Sequence, residues 1–299
     1  MPPPLPMTPG RRVALVLGVP IALALIGLTA VNMVANVGQA SLRVDRTVPV
    51  RGDQVGVSVD NPDVMLRGAT ASGNAFRVSG TLRGPFVPPR FDLRPTATGL
   101  AVRSHCVVPI GSCSGVLAVT VPAGLPVVIS DSSGNLTASG FRGHVTLSDG
   151  SGNLGAARLS GTITLEDGSG DISASSLDGD RIRLSDGSGD ITVSGLAGGS
   201  VSLTDGSGDI AVTGLAGTNV TGHDDSGGLT LTFTKVPRRV TVTDGSGDIA
   251  LILPRGPAYY QVDARSSSGG STVSVKTRPS SPNVITAIDD SGNVSIRYG

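Results

Sequence analysis

Apolar and polar positions alternate along most of this chain in short runs, and Asp-Gly-Ser-Gly breaks the runs at regular intervals. Between Asp149 and Ile249 the breaks read DGSGNL, then DGSGDI three times, then DDSGGL and DGSGDI. Taking the first residue of each break as a mark, the marks fall at Asp131, Asp149, Asp167, Asp186, Asp205, Asp224 and Asp244, then more loosely at Ser266 and Asp289. The spacings are 18, 18, 19, 19, 19, 20, 22 and 23 residues. A fixed period near twenty is the sign of a solenoid, whose units bury their apolar sides only by stacking on one another.

Side chains alternate across a strand, so one parity carries the inward set. Four and two residues before the mark stand Ile163 and Leu165, Ile182 and Leu184, Val201 and Leu203; five and seven after it stand Ile172 and Ala174, Ile191 and Val193, Ile210 and Val212. Ten after it comes Phe141, Leu159, Leu177, Leu196 or Leu215. One coil is therefore strand, tight turn, strand, short corner and return. Equivalent strands of successive coils stack in parallel, and the crossover rule favours right-handed winding. A left-handed hexapeptide helix needs an apolar residue every six positions, which these offsets do not supply. The fold expected is all-β: a right-handed parallel β-helix of 18- to 23-residue coils over 125–299.

From Gln39 to about Gly124 the repeat is absent, yet runs such as VGVSV, FRVSGTL and GVLAVTV, broken by Gly and Pro, still read as strands. The segment 38–124 is expected to be a β-rich cap with early irregular coils, because a solenoid end exposes strand edges and apolar interior.

The first residues set the compartment. A Pro-rich tail (1–12) ending in Arg11-Arg12 precedes a run, Val13 to Val31, without any charged residue. That is long enough to cross about 30 Å of hydrocarbon as a helix. The basic pair predicts a cytoplasmic amino terminus, a transmembrane helix over 13–37 and an external remainder. Gly38-Gln39-Ala40 has the form of a signal-peptide cleavage site, but a signal peptide's apolar region runs only about 7 to 15 residues, so an uncleaved anchor is expected.

Composition narrows the function. The 299 residues include 43 Gly, 3% aromatics and no Trp, which suits a thin, turn-dense solenoid better than a large globular core. The net charge is zero and Arg is scattered, so the basic footprint of a nucleic-acid binder is missing.

Cys106 and Cys113 are the only cysteines and flank a Pro-Ile-Gly-Ser turn; outside the membrane they are expected to form a disulfide that pins a hairpin. Nucleophilic use of Cys106 beside His105 lacks a partner, and a metal site on these three residues lacks ligand spacing and a fourth ligand.

The Asp at each mark is expected to cap its turn by accepting N–H bonds from the following Ser and Gly. Asp171, Asp190 and Asp209, of opposite parity, form an outward ladder about 4.8 Å apart, tolerable in water at about 1 kcal/mol per pair. A divalent cation is the competing reading, set behind a structural turn, because the calcium-binding nonapeptide repeats have period nine and a different residue order. No metal, cofactor or catalytic residue is assigned. Thr146, Thr164, Arg183, Ser202, Thr221 and Thr241 make an outward, mostly hydroxyl row suited to a repetitive polymer, although Thr is also simply a good exposed strand residue.

A polysaccharide-cleaving β-helix would need paired carboxylates and aromatic platforms. Here Glu166 is the single Glu, and His105, His144, His223, Tyr259, Tyr260 and Tyr298 stand at scattered registers. The recurring GSGD precedes strands in nearly every coil, unlike a phosphate loop.

The SGDI and SGNL coils, the VTVPAGLPV segment (Val119 to Val127) and the apolar amino-terminal run together resemble the bacterial DUF4097 adhesin family, over about Phe76 to Gly299. The resemblance implies a β-solenoid displayed on the cell surface and brings no catalytic residues with it. The expectation is a single-pass membrane protein whose external solenoid is structural or adhesive, with a cell-wall polymer or a protein as ligand; a β-helix carbohydrate-active enzyme is the alternative.

Overall fold

A computed structural model describes residues 39–49, 53–59, 62–69, 75–96, 99–105, 107 and 113–299. The tail over 1–12, the helix expected over 13–37, and Cys106 lie outside the described residues. No helix among the described residues is long and apolar enough to cross a membrane. What is described is all β: 21 strands hydrogen-bonded into one continuous sheet system.

The coil appears where the alternation placed it. Leu154–Asp167, Ile172–Asp186, Ile191–Asp205 and Ile210–Asp224 are long strands that bend at a corner, and each pairs in parallel with the next. Like residues stack on like: Ile163 on Ile182 on Val201, Leu165 on Leu184 on Leu203, Leu159 on Leu177 on Leu196 on Leu215. All of these are at most 1% exposed. Each such side chain contributes about 1.5–3 kcal/mol relative to exposure, so the core is a column of branched aliphatics repeated in every layer. The turns stack as well, with the Gly170 N–H on the Ser188 carbonyl at 3.0 Å and the Gly189 N–H on the Ser207 carbonyl at 2.9 Å. Pairing therefore continues from strand through turn to strand.

The layers at the two ends do not follow chain order. Gln54–Val59 pairs with Val127–Asp131 on one side and Gly99–His105 on the other, and Asp63–Ala69 pairs likewise with Leu136–Ser139 and Ser114–Pro122. The layer over 54–69 is thus inserted beneath the layer that begins at Val127. At the other end Val284–Ser291 and Val294–Tyr298 lie between Arg239–Leu253 and Gln261–Ser274. Spacing alone reads the marks at Ser266 and Asp289 as successive coils; in the structure the Asp289 layer comes first and the Ser266 layer ends the stack. Val294 is accordingly an interior residue, 1% exposed, and not part of the last layer. The physical reason is that an inward-outward strand presents the same edge to any other, so neighbour choice at an end is made by the connections and caps.

Antiparallel strands close the first end. Gln39–Pro49 pairs with Ala75–Pro85, which pairs with Ser114–Pro122, and Phe76, Val78 and Leu82 seal the apolar interior. Arg90–Thr96 pairs antiparallel with Gly99–His105. At the far end Tyr260, fully buried, does the same work. The outermost strands of this face carry Asp-x-Arg ion pairs at both ends, Asp92 with Arg94 at 2.6 Å and Asp263 with Arg265 at 2.7 Å. Charges on an edge strand discourage pairing with another chain.

Candidate functional site

Three polar rows run along the stack, and each has a different physical role. The marks form the first row. Asp131, Asp149, Asp167, Asp186, Asp205, Asp224, Asp244 and Asp289 are all at most 7% exposed. In each, Oδ1 accepts the N–H of the Ser two residues on, at 2.9–3.2 Å. That is half of the cap expected from the sequence. The following Gly N–H is near enough to hold the carboxyl pKa down, as Gly150 does for Asp149, but its short bond goes to the layer-to-layer ladder: Gly150 donates to the Asp131 carbonyl and Gly168 to the Asp149 carbonyl, both at 3.0 Å. Every Oδ2 is buried without a hydrogen-bond partner among the described residues.

Burial, only partly opposed by the Ser133 N–H, raises the Asp131 carboxyl from 3.8 to about 7, with neighbouring Asp149 and Asp63 adding to the rise. The same desolvation lifts Asp149, Asp186 and Asp224 to about 6. A carboxyl raised on folding binds its proton more tightly in the folded chain. Its stabilisation is therefore complete below about pH 4 and is lost as pH rises through 6 to 7. The melting temperature should fall between pH 5 and pH 8, and Asp131→Asn, which keeps an acceptor for Ser133 and cannot ionise, should flatten that fall. Thermal melts across this range check it; a melting temperature that rises with pH would show the carboxyls to be stabilised as anions.

The second row explains why the residue four after the mark is Asp or Asn alike. Asn135 Oδ1 accepts the Asn153 N–H, Asn153 Oδ1 the Asp171 N–H, Asp171 Oδ1 the Asp190 N–H, Asp190 Oδ1 the Asp209 N–H and Asp209 Oδ1 the Gly228 N–H, at 2.7–3.1 Å. Asp63 begins the line on Asn135, and Asp248 with Asn293 repeats it beyond Gly228. Each side chain thus holds the main chain of the next layer, a role that an amide or a carboxylate fills equally. The outward ladder of Asp171, Asp190 and Asp209 is present, but its links are hydrogen bonds to backbone. No group of three His, Cys, Asp or Glu among the described residues could hold a metal ion.

The third row is the outward face: Thr146, Thr164, Arg183, Ser202, Thr221, Thr241 and Thr286 in continuous register, all half-buried or exposed. Neighbouring rungs are about 4.8 Å apart, so this is a flat, polar, repetitive surface.

The other candidate residues do not converge. His223 bonds Asp225 at 3.0 Å and Thr243 at 2.8 Å, His144 lies near Thr146, and His105 is in another layer. Glu166 is exposed. The Tyr298 hydroxyl accepts the Lys276 N–H, and Arg278 lies over the Tyr259 ring at 4.1 Å. Cys113 is disulfide-bonded, while Cys106, the partner expected from the sequence, lies outside the described residues.

With this geometry in hand, the sequence matches the family described as Toastrack DUF4097 over residues 110–297, well over half of the chain. The chain belongs to the DUF4097 family. Two solved structures of similar description align with it. One, titled a putative adhesin from Bacteroides fragilis, is 13% identical, with 86% of this chain and 97% of that chain covered and a TM-score of 0.46. The other, titled a putative cell adhesion protein from Clostridium sporogenes, is 10% identical, with 86% and 100% covered and a TM-score of 0.25. No curated protein matches. The DUF4097 match begins at residue 110, later than the Phe76 expected from the resemblance, and so leaves out the strands Ala75–Pro85, Arg90–Thr96 and Gly99–His105 as well as the inserted layer over 54–69.

Proposed function

We propose that this DUF4097 protein is a non-enzymatic envelope module: an external solenoid, held at the membrane by the apolar segment 13–37, that works by presenting a rigid polar face to a ligand. The observation that carries the reading is the fate of the carboxylates. In almost every coil one Asp is buried in its own turn and the next Asp or Asn holds the backbone of the adjacent layer. Cleavage of a polysaccharide by acid-base chemistry needs two carboxyls facing each other across a cleft, and none of five surface cavities of the solenoid is lined by two carboxyls. What the fold repeats from layer to layer is the outward, mostly hydroxyl row from Thr146 to Thr286, whose rungs about 4.8 Å apart offer a repetitive ligand the same polar group at regular intervals.

The anchor is tested on intact cells. Added protease should digest the portion after Val37 while the protein stays with the membrane fraction; a soluble form beginning near Ser41 would establish cleavage instead. The ligand reading is tested by binding the full chain to cell-wall polymers, with Thr164→Lys and Thr221→Lys as row variants. Binding that these changes leave untouched would remove the outer row as the contact face.

A further inference from the structure

The corner between the two faces carries a groove of about 580 Å³ that none of the three rows explains. It is built from three layers: Arg67 of the inserted layer, Ser139 and Arg142 of the next, and Arg158 and Ser160 of the third. The register makes the convergence structural, since Arg67 sits beside Ser139 and Arg142 beside Ser160. All three arginines are exposed, and none is in an ion pair among the described residues. The floor is bare main chain, for a Cβ on Gly68 would lie within 2.2 Å of the Gly140 carbonyl oxygen. The first acid along this register is Asp178, paired with Ser160 in the next layer.

Arg158 gives the second indication. It occupies the left-handed backbone region, φ 52°, at the corner register where the other coils place Gly140, Ser176, Gly195 and Gly214, at φ 56–77°, and it is the one long side chain among the five. A long side chain in that conformation is strained relative to glycine, and strain of this kind concentrates where a side chain must be aimed. Here the aim is into a concavity already lined by two other guanidinium groups.

We propose that this corner is an anion site that binds the phosphate of a phosphorylated polyol or sugar. Guanidinium forks match the oxygens of a tetrahedral oxyanion two at a time, and the serine hydroxyls supply further donors. Three cations exceed what a single carboxylate requires and suit a phosphate. The volume lies in the range of small-molecule pockets and exceeds an isolated phosphate, so the group arrives on an organic body. The inference is independent of where the protein resides and of the outer row.

The test is calorimetric titration of the full chain in a non-ionic detergent with inorganic phosphate, glycerol 3-phosphate, a diglycerol phosphodiester and glycerate. Both phosphorylated glycerols should bind, and glycerate at least about tenfold more weakly. Preference for the monoester points to a free phosphorylated metabolite; equal binding of the diester points to the interior of a phosphodiester polymer. Arg158→Gly should weaken binding at least about tenfold while raising the melting temperature by about 2–4 °C, because it places at this positive φ the residue that the coils of Gly140, Gly195 and Gly214 use there. Arg142→Gln should weaken binding similarly, and Asp178→Asn should strengthen it. Absence of phosphate binding to the wild-type chain, equal binding by Arg158→Gly, or glycerate binding as tightly as glycerol 3-phosphate would overturn the proposal.

Discussion

Ile191→Asp should cost more than about 4 kcal/mol and melt the middle of the stack, whereas Thr192→Asp, one residue along, should stay within about 0.5 kcal/mol. Ile191 is fully buried, stacked between Ile172 and Ile210, and a carboxylate there has no partner. Thr192 points to solvent between Ser173 and Ala211, where a new charge meets water and, at some distance, Asp190. A solenoid's stability is a sum of layer and interface terms, so losing one central layer releases two interfaces. The same logic fixes the comparison at the far end. Val294→Asp falls inside the stack and should be nearly as damaging, while Val273→Asp, 38% exposed in the outermost layer, should be tolerated. Denaturant melts of the four variants check this. Equal sensitivity at Ile191 and Thr192 would mean that the alternation has been assigned to the wrong face.

Gly189→Ala should be among the most damaging single-methyl changes in the repeats, at about 3 kcal/mol or more. Its backbone sits at φ 143°, and an added Cβ would come within 1.9 Å of the Gly170 carbonyl oxygen and 2.6 Å of its carbon. Both are main-chain atoms of the layer below, so relief requires spreading two layers that the core holds together. Gly195→Ala separates the two causes. It too has a positive φ, 73°, but the added methyl meets only ordinary contacts near 3.8 Å, so its cost should be the conformational penalty alone, about 1 kcal/mol. Similar losses at the two sites would show that layer spacing is softer than the stacked turns imply.

The turn glycines also show why the coil was legible in the sequence. Gly170, Gly189, Gly208 and Gly227 each stack on the one before, so every coil must repeat the same residue at the same place. Repetition of sequence is here the direct result of repetition in space. The Asp-or-Asn position four after the mark was legible as a pattern but not as a bond. Its acceptor serves the neighbouring layer, 18 or 19 residues away in sequence, and parity says only that the side chain points outward.

By itself the sequence determined the period, the inward set from Val145 to Leu251 and the outward Thr row, since all three follow from alternation within a strand and a turn that admits little but Asp, Gly and Ser. Only the tertiary structure decided which layers touch at the ends. There it placed 54–69 beneath the layer that begins at Val127 and put the Asp289 layer inside the Ser266 layer. It alone brought Arg67 to Arg142 and Arg158, and it alone left one oxygen of each turn aspartate buried without a partner among the described residues. The physical reason is common to all of these. Alternation is a local property of one strand, whereas neighbour choice and desolvation depend on what another part of the chain lays against it, and strands of the same pattern do not declare their partners.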